Sequence, residues 1–409
     1  VSLRRRLQSR AIRAVRQSRL FPRTMVNRLG EDDALSGGLL DSTVIVYFPD
    51  ALDSLYQITP WLPAFELLNE QLPVTIVCQD SRVTERVRAT SGLDVRTIAR
   101  YGTLDDLLGR SDVKVALYVS HAPRNFECLR FTSLMHVYLG HGDSDKGVSA
   151  SNQLKAYDYA FLPGEAAVER VRIRLMKFDT DAHTMIVGQP QNSVVSHQPS
   201  RDGRTTVLYA PTWEGAQPSV AYSSVLSHGG DLVRSLLADG RFRVEVRPHP
   251  LSGVTSGAYA AATREITDAV TAAGNGHRVV SADEETLEES FARADLLITD
   301  VSAVSSGWLP TLRPLIVTVP AGAQAAEADA GMLATIPRLI ASDAVRAPEI
   351  VSEVLADDDP SARAELVRTY LSAFTPEESR TEFVRACVRV AEERDAERDR
   401  LLAAGGGAL

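Results

Sequence analysis

Three short segments of this 409-residue chain bring imidazole, cationic and hydroxyl side chains together in patterns that suit chemistry on a phosphate. The first is GHGDSDKG, Gly140 to Gly147. His141 and Gly142 follow Gly140, glycines that let backbone approach a ligand, and Lys146 lies further along the same loop. An imidazole with an ordinary pKa of about 6.5 can take a proton from an attacking hydroxyl near neutral pH, and a nearby ammonium can hold a phosphate. Asp143 and Asp145 lack the spacing of a calcium loop, so no metal is expected there. The second segment is RPHP, Arg247 to Pro250, where Pro248 and Pro250 stiffen the chain on either side of His249. Cations pre-ordered in this way suit an oxyanion whose charge grows during reaction. The third, LLITDVSAVSSGW, runs from an apolar stretch into Thr299, Asp300, Ser302 and Ala303, where free N–H groups and small hydroxyls cap a helix or bind an anion. A fourth, LYAPTWEG, exposes Thr212 and Trp213 after another apolar run. Each also admits a purely structural reading: a turn histidine, a cis-proline turn, a helix cap, a core tryptophan. No GxxxxGK[ST] occurs, which disfavours P-loop hydrolysis of ATP.

The elements that must position these groups show as alternating apolar runs and helical stretches, the pattern of a parallel sheet covered by helices. Strands are expected at 43–48, 73–78, 94–98, 114–119, 134–139 and 158–162, with helices around 60–71, 82–90, 103–109 and 123–131. After the polar stretch 196–204 a second series follows, at 205–210, 242–247, 277–280, 295–299, 314–318 and 336–340. The length exceeds what one core usually holds. The expected fold is therefore α/β, two tandem doubly wound Rossmann-like domains at 40–195 and 203–375 facing a cleft, with an N-terminal basic amphipathic helix at 1–30 and C-terminal helices and tail at 376–409. Such sheets bind ligands beyond the carboxyl ends of their strands, where all four segments fall.

Charge is unevenly spread. The net charge is −9, yet residues 1–30 hold nine arginines and no acid, leaving −18 on the remainder. So acidic a body argues against nucleic acid as a partner. In the arm, Leu3, Leu7, Ala11, Ala14 and Val15 form a thin apolar stripe ringed by Arg4, Arg5, Arg6, Arg10, Arg13 and Arg16. That pattern suits an anionic membrane surface, or docking on the acidic body of the same chain. No apolar run is long enough to span a bilayer, and Cys78, Cys128 and Cys387 show no paired metal-ligand spacing, so buried thiols in a reducing, cytoplasmic setting are expected.

Taken in order, His141-Gly142 with Lys146, then APTW, RPHP, and TDVS followed by Leu312, Arg313 and Pro314, the motifs resemble the CDP-glycerol glycerophosphotransferase family of teichoic acid synthesis over about residues 130–320. The resemblance implies a GT-B type fold with an N-terminal acceptor domain, a C-terminal nucleotide donor domain and a membrane-associating amino-terminal region. It implies transfer of glycerol phosphate from CDP-glycerol to a hydroxyl of a lipid-linked or polymeric acceptor at the inner membrane face, releasing CMP; because such transfer needs mostly positioning and charge stabilisation, no cofactor or metal is expected. It makes His141 and His249 the essential histidines and Lys146 the lysine of the first motif. Thr299, Asp300 and Ser302, with the N–H groups near Ala303, would hold the donor phosphates beside Arg247 and Thr212. Gly142, Asp143 and Asn192 would line the acceptor side or cleft. The chain departs from the family pattern at Gln191, Glu214, Ala303 and Gly307. A nucleotide-sugar transferase or epimerase of the same architecture, and a membrane adaptor without chemistry, are the two other readings. Acceptor identity, donor alcohol and oligomeric state are not legible in the residues.

Overall fold

The computed structural model describes residues 27, 31–146, 150–193, 196–215, 221–282, 284–319, 321, 331–357, 359–372 and 375–405. The arginines of the basic arm lie outside the described residues.

Near-continuous apolar strands form where both faces of a parallel sheet are covered, and this chain follows that rule. β1 (Val44–Phe48), β2 (Val74–Cys78) and β4 (Val115–Tyr118) are buried at every position. With β3 (Asp94–Thr97), β5 (Met135–Tyr138), β6 (Tyr159–Leu162) and β7 (Thr184–Ile186) they make a seven-stranded parallel sheet ordered β3-β2-β1-β4-β5-β6-β7. The second sheet comprises β8 (Thr205–Ala210), β9 (Phe242–Val246), β10 (Arg278–Val279), β11 (Leu296–Thr299), β12 (Leu315–Thr318) and β13 (Arg338–Leu339). Its order, β10-β9-β8-β11-β12-β13, repeats the plan of the first, and all its pairs are parallel. Every strand expected from sequence has its counterpart. The short edge strand β7 was not expected, because Thr184–Ile186 gives too few residues for a periodic signal.

In both sheets the winding reverses between the first and fourth strands, which opens a crevice at their carboxyl ends. Apolar side chains of the helix Pro376–Ala403 fix its position: Phe383 packs on Trp61, Phe65 and Phe161 with ring centroids 5.6, 6.2 and 6.2 Å away. Lys114 and Asp395 add an ion pair at 2.5 Å. The carboxyl-terminal chain thus returns from the second sheet to the core of the first. On the way, the helix Pro360–Leu371 meets Gly164, where a Cβ would stand 2.6 Å from the Tyr370 carbonyl carbon. No described helix is long and apolar enough to cross a membrane. The three cysteines are free and buried.

Candidate active site

The loop after β5 leaves the first sheet and lies on the second half of the molecule. Gly140 adopts φ +69°, the left-handed region that glycine enters without strain. Gly142 then packs so closely on the helix Ala303–Trp308 that an added Cβ would stand 2.7 Å from the Ala303 Cβ. Ser306 Oγ donates to the Asp143 carbonyl at 2.5 Å. Arg170 pairs with both Asp143 and Asp145, reaching the latter at 2.8 Å. Asp145 also accepts from the Met332 N–H at 2.8 Å and from the Tyr370 hydroxyl at 2.7 Å. The Asp143 carboxylate is engaged by Arg170, because a charge so shielded from water needs its partner.

The backbone of this loop is thus tied down while the His141 ring stands free. The residue is exposed, and no hydrogen bond from the described residues fixes the imidazole. Protein walls it on several sides nonetheless, and this loss of hydration, with Lys146 adding positive charge, pushes its pKa down to about 4.

His249, after β9, is held in the opposite manner. Its Nδ1 accepts the Leu251 N–H at 3.1 Å, so the proton of the neutral ring must sit on Nε2. Burial, reinforced by Lys146 and His141, pushes its pKa down to about 3, which favours the neutral ring. Trp213 stacks on it at 6.3 Å with an interplanar angle of 22°. The Arg-Pro-His-Pro peptides are trans, in place of a cis-proline turn. The Arg247 guanidinium donates to Ser290 Oγ at 3.2 Å and to the Glu285 carbonyl at 2.8 Å, which ties it to the neighbouring loop.

Tyr56, from the short helix Leu55–Ile58, brings the two histidines into one site. Its ring meets His141 edge-on at 5.8 Å and His249 edge-on at 5.3 Å. Sequence reasoning missed it, since no motif surrounds it and its partners come from distant parts of the chain. Lys146 donates to Thr212 Oγ1 at 2.9 Å and lies 5.6 Å from the centre of the Tyr222 ring, another unforeseen neighbour. Burial lowers the Lys146 pKa to about 8 against the opposing pull of Asp300.

The third motif supports the site from within. Asp300 is fully buried and accepts from the Thr212 N–H at 2.7 Å, the Ser224 N–H at 3.2 Å and Thr318 Oγ1 at 2.6 Å. Thr299 Oγ1 donates to the Ala210 carbonyl at 2.7 Å. Both were expected on donor phosphates; their polar atoms instead join the ends of β8 and β11. Ser302 precedes a helix of six residues without capping it through its side chain, and so short a helix offers little dipole to an anion. The Asn192 side-chain amide donates to Gln189 at 2.6 Å and its backbone carbonyl accepts from Arg380 at 2.8 Å. Among the described residues, no group of three or more His, Cys, Asp or Glu is placed to hold a metal.

The arrangement offers a free imidazole, a fixed N–H donor and a lysine-hydroxyl pair around one cleft. Residues 135–373 match the family model described as CDP-glycerol:poly(glycerophosphate) glycerophosphotransferase. Among solved structures, the chain is similar to a variant of the wall teichoic acid polymerase TagF soaked with CDPG, at 12% identity over 86% of this chain and 89% of that one, TM-score 0.57. It is similar to a glycosyltransferase from Rickettsia africae at 11% identity over 87% and 99% of the two chains, TM-score 0.54. It is also similar to MnaA with UDP from S. aureus at 10% identity over 83% and 94%, TM-score 0.52. At such identities the likeness is one of fold, which is of the GT-B type. No curated protein matches the sequence.

Proposed function

We propose that this chain, which belongs to the CDP-glycerol:poly(glycerophosphate) glycerophosphotransferase family and is a transferase of that class, moves glycerol phosphate from CDP-glycerol to a hydroxyl of a lipid-linked or polymeric cell-wall acceptor and releases CMP. The observation that carries this reading is the meeting of His141 and His249, from opposite sheets, at Tyr56.

In this reading the acceptor oxygen attacks the β-phosphorus and the bond from that phosphorus to the bridging oxygen breaks. The hydroxyl proton passes to His141. The bridging oxygen leaves with CMP and takes a hydrogen bond from His249 Nε2–H. A basicity near 4 is low for a general base, but donor phosphates beside the ring would raise it toward the working range. Lys146 and Thr212 hold the phosphates. Phosphoryl transfer depends mostly on positioning and charge stabilisation, so these groups call for no resident cofactor. In this reading the protein works at the inner membrane face, with the arginines of residues 1–30 as the contact.

The test is CMP release from CDP-glycerol, CDP-ribitol and nucleotide sugars, with and without lipid-linked acceptor. Acceptor-dependent release from a CDP-alcohol, lost at least about 100-fold in His141→Ala with the fold retained, is expected. Turnover of sugar nucleotides with inert CDP-alcohols would overturn the donor assignment. Retention of more than about a tenth of the rate in the variant would remove His141 as the base.

A further inference from the structure

Glu214 occupies the place after the APTW segment where the sequence resemblance expects a cation, and it reads there as a charge hostile to a diphosphate. Its surroundings give it another role. Oε1 accepts from the Thr255 N–H at 3.0 Å, Thr255 Oγ1 at 2.9 Å and the Ser256 N–H at 3.2 Å, while Oε2 accepts from the Gly253 N–H at 2.9 Å. Glu214 as a whole is 6% exposed. Burial works against its charge, but the hydrogen bonds outweigh burial and hold its pKa below the usual glutamate value.

All of these donors belong to the loop that follows His249. That loop has other ties: the Ser252 N–H bonds the His249 carbonyl at 2.9 Å, and the Leu251 N–H bonds His249 Nδ1. Gly253, at φ +78°, packs so tightly on the next helix that an added Cβ would lie 2.5 Å from the Ala260 Cα. Thr212 and Trp213, immediately before Glu214 in the chain, meet Lys146 and His249 respectively. One short segment after β8 therefore touches the lysine, stacks on the imidazole and clamps the loop that sets the imidazole's tautomer.

We infer that Glu214 is a positioning residue for His249: by gathering the amides of Gly253, Thr255 and Ser256 it keeps the Leu251 N–H on Nδ1, and so keeps the ring proton on Nε2 facing the cleft. The inference rests on the proposed role of His249 for its catalytic consequence, but its structural content stands apart from turnover. A carboxylate consumed by backbone donors presents little field to a donor phosphate, so the departure from a cation need not change the donor.

The test is the tautomer of His249, read by 15N-resolved imidazole NMR and assigned by loss of its signals in His249→Ala. In the wild-type protein the Nε2–H form should dominate at neutral pH. Glu214→Gln retains the shape but turns an amide N–H₂ toward loop N–H groups, and should yield a mixture containing the Nδ1–H form. The same variant should lose at least about 10-fold in kcat with the KM for CDP-glycerol changed less than about 3-fold. A folded Glu214→Gln protein with an unchanged tautomer and unchanged kcat would overturn the inference. Should that variant not fold, Thr255→Val removes a single hydroxyl donor and takes its place. A mixed tautomer there supports the clamp, and an unmixed one with full kcat overturns it. If no CDP-alcohol is turned over at all, the functional proposal fails while the spectra still decide the clamp.

Discussion

The loop around His141 and the loop around His249 solve opposite problems. The first is bound through its backbone and its acidic residues, by Ser306, Arg170, Tyr370 and Met332, yet its imidazole takes no hydrogen bond from the described residues. The second is bound through the imidazole itself, with Nδ1 on the Leu251 N–H and the loop gathered onto Glu214. A general base needs an unprotonated ring nitrogen facing the hydroxyl it serves, and no described group occupies either nitrogen of His141. A donor to a leaving oxygen acts best when its proton already points at the developing charge. In the proposed reaction the same residue type would serve two roles, separated by what touches Nδ1.

The largest effect that bears on this contrast should come from His249→Ala, expected to lower kcat by about 100- to 1,000-fold while the KM for CDP-glycerol stays within a few-fold. His249→Gln, which can still present an N–H, should lose less in the same steady-state assay. An unchanged kcat in His249→Ala would end the proposed asymmetry.

The pH profile of kcat/KM sharpens the comparison through the cation the two loops share. Lys146 is charged below its pKa of about 8, so kcat/KM should fall about tenfold per unit as pH rises above that value. In Lys146→Arg the alkaline limb should vanish from the range, and its persistence would assign it elsewhere. On the acid side, His141 and His249 are neutral above about 4 and 3 in the free enzyme, so the profile should stay level between about pH 5 and 7. An acid limb near the ordinary histidine value would contradict the lowered basicity.

A smaller effect tests how firmly the first loop is seated. Gly142→Ala puts a methyl 2.7 Å from the Ala303 Cβ and should cost about 1–3 kcal/mol in denaturant unfolding. Ser306→Ala, which removes one hydrogen bond to the Asp143 carbonyl, should cost about 1 kcal/mol. Gly142→Ala with full stability would mean that the loop is not pressed against the second half in solution.

Much of this was legible in the residues. Runs such as VIVYF and FRVEV announced buried strands, and the motifs after them landed at the carboxyl ends of both sheets, where His141, Lys146, Thr212 and His249 converge. Legibility failed on direction. Thr299 closes β11 and Asp300 follows it, and nothing in TDVS says that one reaches the Ala210 carbonyl and the other the Thr212 amide. Arg247 and Asp143 likewise find partners that sequence neighbours do not reveal.

The sequence by itself determined the two wound sheets, the placement of the motifs at strand ends and the presence of two imidazoles with a lysine. These follow from hydrophobic periodicity and from residue chemistry, both local properties of the chain. Tertiary structure decided that Tyr56 joins the histidines, that Glu214 is a clamp rather than a misplaced charge, and that His249 donates from Nε2. Each of these depends on which donor or ring lies within a few ångströms of a side chain. That distance is set by the packing of segments far apart in sequence, which no local pattern encodes.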